Sequence, residues 1–108
     1  MAKRTPVIDK ELIARIREMA EDWRYVKMTP DALQGMQRLR LTLHGFCREL
    51  CDYIARGEPI DETITDSASG HIGETMYEMH PEISATDVYV KFRIVVSSQS
   101  LFVISVHD

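Results

Sequence analysis

Apolar positions repeat with a helical period up to about residue 57 and with a two-residue period beyond it. Leu12, Ile13, Ile16, Met19, Ala20 and Trp23 form one stripe, and Lys10, Arg15, Arg17, Glu18, Glu21 and Asp22 fall mostly off it. Positions three and four apart share a helix face, so this stripe predicts an amphipathic helix packed on a core. Its start is expected near Asp9, whose carboxylate can accept the free amides of the first turn, with Glu11 at the positive end of the dipole. Thr29-Pro30-Asp31 predicts a second start: a hydroxyl cap, a proline whose missing N–H costs nothing there, then an acid. Leu33, Met36 and Leu39 follow, and Gly35 softens the middle. Thr42 reads as a third cap. Leu43, Phe46, Cys47, Leu50, Cys51 and Ile54 then make a second stripe, which Gly57 ends as a left-handed stop.

From Glu58 onward Thr, Val, Ile and Tyr become common, and turn residues cluster at Ser67-Ala68-Ser69-Gly70, at Pro81 and at Ser97-Ser98-Gln99-Ser100. Strands are predicted near 60–66, 71–79, 86–96 and 101–107. In the third, Val88, Val90, Phe92, Ile94 and Val96 are apolar and alternate with Asp87, Tyr89, Lys91 and Arg93, so one face is core and the other is solvated. In the fourth, Phe102, Ile104 and Val106 are expected in the core. Facing residues on paired strands point the same way, so both patterns agree only when even positions meet even ones. An odd loop, Ser97-Ser98-Gln99, does this and pairs Ile94 with Phe102, Phe92 with Ile104 and Val90 with Val106. A two-residue turn would bury His107 and expose Phe102. The outer face of the predicted ribbon then carries Tyr89 opposite His107, Lys91 opposite Ser105, and Arg93 one step along.

These elements predict one α+β domain over residues 1–108, with N-terminal helices on one face of a C-terminal antiparallel sheet. Composition agrees: 44% hydrophobic and 28% charged residues are ordinary globular usage. No apolar run reaches the roughly 18 residues of a membrane span. Met1-Ala2-Lys3-Arg4-Thr5-Pro6 has no apolar segment behind it, so a cytoplasmic protein without membrane contact is expected. Charge is uneven. Residues 1–57 carry 11 Lys+Arg against 8 Asp+Glu, whereas residues 58–108 carry 2 against 9. The acidic half repels phosphate at long range and favours a basic partner. Cys47 and Cys51 stand four apart on a helix, too far for a disulfide. With His44 they share a face that could hold zinc only if a fourth ligand came from elsewhere. Both cysteines are expected to be core residues, and no metal site is expected.

Metal-independent RNA cleavage needs a base for the 2′-hydroxyl, an acid for the leaving oxygen and cations around the phosphorus. The outer face of the predicted ribbon supplies candidates. His107 is an acid or base, Tyr89 orients or donates, and Lys91 and Arg93 hold phosphate. Glu62 or Glu74 is a base if its strand brings it to this face. No cofactor is needed. Without a ligand, the same residues are simply the solvated side of a strand.

Lys3-Arg4-Thr5-Pro6, Leu43-His44-Gly45-Phe46-Cys47, Glu74-Thr75-Met76-Tyr77, Asp87-Val88-Tyr89-Val90-Lys91-Phe92 and Phe102-Val103-Ile104-Ser105 together resemble the MqsR family. These are mRNA-cleaving toxins of bacterial toxin–antitoxin modules. The resemblance implies a RelE-like α+β fold, an endoribonuclease activity and an antitoxin protein as partner. Of the family's site residues only the tyrosine, Tyr89, carries over. Glu62 stands where the family has lysine, Glu74 where it has glutamine, and His107 where it has lysine. Two expectations follow: a toxin-like ribonuclease built on Tyr89 and His107, or a non-catalytic protein-binding, inhibitory module on the same scaffold, possible for a mobile element.

Overall fold

Three helix starts use short polar side chains as caps. Asp9 accepts the backbone N–H groups of Glu11 and Leu12 at 3.0 and 3.3 Å, Thr29 that of Ala32 at 3.1 Å, and Thr42 that of Gly45 at 3.0 Å. Each satisfies an amide that has no partner inside its helix. The computed structural model describes residues 4–64 and 74–108. The expected turn at 67–70, the end of the 60–66 strand and the start of the 71–79 strand lie outside the described residues. The elements run β1 (Arg4–Pro6), α1 (Lys10–Ala20), β2 (Val26–Met28), α2 (Pro30–Arg38), α3 (Leu43–Ala55), β3 (Asp61–Ile64), β4 (Thr75–Met79), β5 (Glu82–Ile83), β6 (Thr86–Asp87), β7 (Tyr89–Val95) and β8 (Ser100–His107). Helix α3 ends as expected at Gly57, at φ 75°. The N–H groups of Gly57 and Glu58 reach back to the carbonyls of Ile54 and Tyr53. Helix α2 ends with the same double bond, from Arg40 and Leu41 to Gln37 and Met36. There Arg40 takes the left-handed position, at φ 60°.

The main sheet has six strands in the order β1-β3-β4-β7-β8-β2, and β5 pairs with β6 in a separate small hairpin. The α+β layering therefore stands, with two corrections. Both edge strands come from the helical half: β1 pairs antiparallel with β3, and β2 pairs parallel with β8. Three-residue edge strands leave no readable alternation, which is why periodicity missed them. The expected strand 86–96 also breaks at Val88. Thr86 and Asp87 turn back onto Ile83 and Glu82 through a tight turn at Ser84 and Ala85. Trp23 is not core either. It sits in a 3₁₀ turn after α1 and is 47% exposed, while Ile16, Met19 and Ala20 bury the stripe.

The β7–β8 hairpin holds a surprise with consequences for the site. Its connection is four residues long, since Val95 pairs with Ser100, and Gln99 closes it at φ 51°. An even loop pairs Ile94 with Leu101, Arg93 with Phe102 and Phe92 with Val103, so Leu101 and Val103 are fully buried and Phe102 faces out. The expected core positions Phe102 and Ile104 are thus corrected. Ile104 then bulges: Lys91 pairs with Ser105, Val90 with Val106 and Tyr89 with His107. A bulge sets two residues against one and flips the parity of everything beyond it. Periodicity could not choose here, because Leu101-Phe102-Val103-Ile104 is apolar at both parities.

Helix α2 fixes this bulge. The Thr29 hydroxyl donates to the Ile104 carbonyl at 2.8 Å, and the Thr29 N–H donates to the Val103 carbonyl at 3.0 Å. Nearly two turns later Gly35 lies so close to β8 that a β-carbon there would stand 1.8 Å from the Val106 carbonyl oxygen. Gly35 therefore permits close approach and is not a soft point in the helix.

Candidate functional site

The outward face of the sheet gathers its polar side chains into rows, because each row takes one residue from each strand at matching register. The first row is His80, Tyr89 and His107. Tyr89 pairs with His107 across β7–β8, and the β4–β7 register, carried one residue past Met79–Val90, sets His80 beside Tyr89. The Tyr89 and His107 rings stack at 4.9 Å and 29°, and the His80 ring leans on the other side of Tyr89 at 5.5 Å and 59°. Both imidazoles are exposed, whereas Tyr89 is half-buried between them. The second row runs Asp61, Glu78, Lys91 and Ser105. In the third, the Arg93 guanidinium lies 5.0 Å over the Phe102 ring, with its Nε 3.2 Å from a Glu74 carboxylate oxygen. Such stacking and pairing hold a guanidinium in one orientation.

Five of the six predicted site residues share this face: Tyr89, His107, Lys91, Arg93 and Glu74. Glu62 does not. It pairs with Tyr77, which pairs with Phe92, and so it lies on the helix side of the sheet. Its charge there helps to push the Tyr77 phenol up, after burial itself. Glu74 is the wrong shape for a free base, since Arg93 already holds it.

Three residues were not anticipated: Glu78, Arg4 and His80. Glu78 is a carboxylate only 2% exposed at the centre of the outward face. The mostly exposed Arg4 reaches it across β3 at 3.2 Å. That contact is an ion pair by distance alone, for the buried Oε1 has no donor aligned for a hydrogen bond. The Tyr89 hydroxyl also meets Glu78. Burial first, and then the negative charge of Glu78, push the Tyr89 phenol up to about 12. At neutral pH it therefore stays protonated, and it offers a neutral ring between the two imidazoles. His80 is fixed through its backbone: its N–H donates to the Tyr53 hydroxyl at 3.2 Å, and that hydroxyl donates to the Pro59 carbonyl. The alternation Met76, Glu78, His80 was visible in sequence, but its register against β7 was not, because the β5–β6 hairpin intervenes.

No protein-family model matches the chain, and no curated protein does. The surface must speak through its own geometry. A depression of about 410 Å³ opens at the first row, lined by His80, Asp87, Val88, Tyr89 and Asp108. Another of about 430 Å³ lies beside α1 with Arg15, Glu18, Asp22, Tyr25 and Gln99, but it brings no pair of imidazoles together. On α3, His44 packs against Trp23 at 5.7 Å. Burial pushes the Cys47 thiol up to about 11 and raises Cys51 as well, so both are poor nucleophiles and poor ligands at neutral pH. Among the described residues no group of three or more His, Cys, Asp or Glu is placed to hold a metal ion. Nor is any described helix long and apolar enough to cross a membrane.

Proposed function

We propose that the outward face of the sheet binds RNA and cleaves its backbone without a metal, in the manner of the toxin-like ribonucleases that the strand pattern resembles. The observation that carries this reading is the exposed His107 imidazole stacked at 4.9 Å on Tyr89, with Lys91 one row away. In the reaction the 2′-oxygen attacks phosphorus, the bond to the 5′-oxygen breaks, and a 2′,3′-cyclic phosphate remains. His107 exchanges a proton at one of these oxygens. Tyr89 holds its ring, and Lys91 and Arg93 sit where phosphate charge would lie, with Glu74 orienting Arg93. An antitoxin-like protein that covers this face would silence it. The decisive experiment incubates purified protein with end-labelled single-stranded RNA in excess chelator. Cleavage to cyclic-phosphate ends is expected, falling about a hundredfold or more in folded His107→Ala. Intact RNA after days with the unaltered protein would end this reading.

A second reading has its own support. Arg4 and Arg93 are each engaged by a carboxylate, and Asp87 and Asp108 line the depression. Carboxylates that occupy the cations and line the depression suit docking of a basic protein without catalysis, as an inhibitory module would. Such a partner is retained at low salt and lost at high salt. Recovery of RNA in its place would count against this reading.

A further inference from the structure

Metal-independent transesterification needs two proton-transfer groups, one on each side of the phosphorus, and His107 supplies only one. We propose that His80 is the second, so that His80 and His107 form an acid–base pair with Tyr89 as the spacer between them; this rests on the RNA-cleavage reading above. Both rings are exposed and bracket Tyr89 from opposite sides, at 5.5 and 4.9 Å. His80 directly follows β4 and His107 ends β8, with β7 alone between them, which sets the two backbones roughly 10 Å apart at the usual strand spacing. With the Tyr89 ring between them, a phosphate seated over its outer edge would meet both imidazoles through hydrogen bonds of about 2.8 Å. Apart from their ring contacts with Tyr89, neither imidazole hydrogen-bonds a side chain among the described residues, and His107 contacts the Asp108 backbone carbonyl at 3.2 Å. Among the described residues, the titratable and charged groups around His80 are Glu78 in β4, Asp87 in β6, Tyr89 on β7, Tyr53 at its backbone, and His107 and Asp108 beyond.

Protons and bonds balance within the pair. One neutral imidazole takes the 2′-hydroxyl proton as the 2′-oxygen–phosphorus bond forms. The other, as imidazolium, gives its proton to the 5′-oxygen as that bond breaks. The rings end in exchanged protonation states, which water resets.

The test uses the whole chain with two substrates: ordinary single-stranded RNA, and the same RNA with sulfur in place of the bridging 5′-oxygen, a leaving group that needs no proton. His80→Gln and His107→Gln are each expected to lose about a hundredfold or more on ordinary RNA. The sulfur substrate should restore one of them, the variant lacking the acid, and leave the other slow. Both changes are at exposed positions, and circular dichroism checks that each variant is folded. Should His80→Gln cleave ordinary RNA within threefold of the unaltered protein, the pair is refuted while the RNA-cleavage reading stands. Restoration of both variants, or of neither, likewise refutes it. An unaltered protein inert toward RNA removes both proposals together.

Discussion

Tyr89 shows how one side chain's chemistry is set by its neighbours. A phenol ordinarily titrates near 10, and here burial beside Glu78 pushes it to about 12. The folded protein thus keeps a proton that the unfolded chain has released. Stability from this group is complete below pH 10 and is lost as pH rises from 10 toward 12. Denaturant unfolding at several alkaline pH values should show that decline, and Tyr89→Phe should flatten part of it. An identical slope in the two proteins would show that Tyr89 titrates freely. Glu78, the cause of part of the shift, could not be singled out from sequence. Its position in Tyr77-Glu78-Met79 reads as an ordinary solvated strand residue, whereas in the sheet it is buried between Asp61 and Lys91, with Arg4 reaching it across β3.

Among elements, the α2–β8 contact decides where His107 points. Thr29 caps the helix and also holds the Ile104 carbonyl at the bulge, so Thr29→Val removes a cap and leaves a half-buried acceptor unpaired. A loss on the order of 2 kcal/mol is expected in urea unfolding, together with a weaker ring-current shift between Tyr89 and His107. Less than 0.5 kcal/mol, estimated against the low end for a cap, or an unchanged ring-current shift would mean that the bulge holds itself. Gly35→Ala is the harsher change. A β-carbon 1.8 Å from the Val106 carbonyl must drive α2 off the strand, at a cost of about 3 kcal/mol. An unchanged melting temperature in that variant would show that the helix can shift without strain. The three caps and the Gly57 stop were legible in sequence because they are local. The bulge was not, because nothing in Leu101-Phe102-Val103-Ile104 prefers one face.

Across the whole molecule, charge limits what the sheet face can hold. Lys27, Lys91, Arg93 and Arg4 are the cations placed there among the described residues, Lys27 through its pairing with Phe102, and two of the four are engaged by carboxylates. Each phosphate neutralised contributes about −0.7 to the salt slope for a single strand, so four at most give a log–log slope of about −3 or shallower. Fluorescence anisotropy of a short RNA at several salt concentrations measures this. A slope steeper than about −4, beyond what four contacts supply, would place the RNA on the helices and away from this face.

Sequence alone determined what depends on neighbours within a turn or two: the helix starts and the Gly57 stop, the buried stripe of α1, the alternation of β7 and the α+β order. It even placed Tyr89 opposite His107, though through a loop of the wrong parity; an even loop and a bulge together restored the pairing. Tertiary structure alone decided the short edge strands, the face on which Glu62 lies, and the arrival of His80 beside Tyr89. Register between strands distant in sequence is set by packing against helices and by intervening hairpins, and no local pattern encodes either.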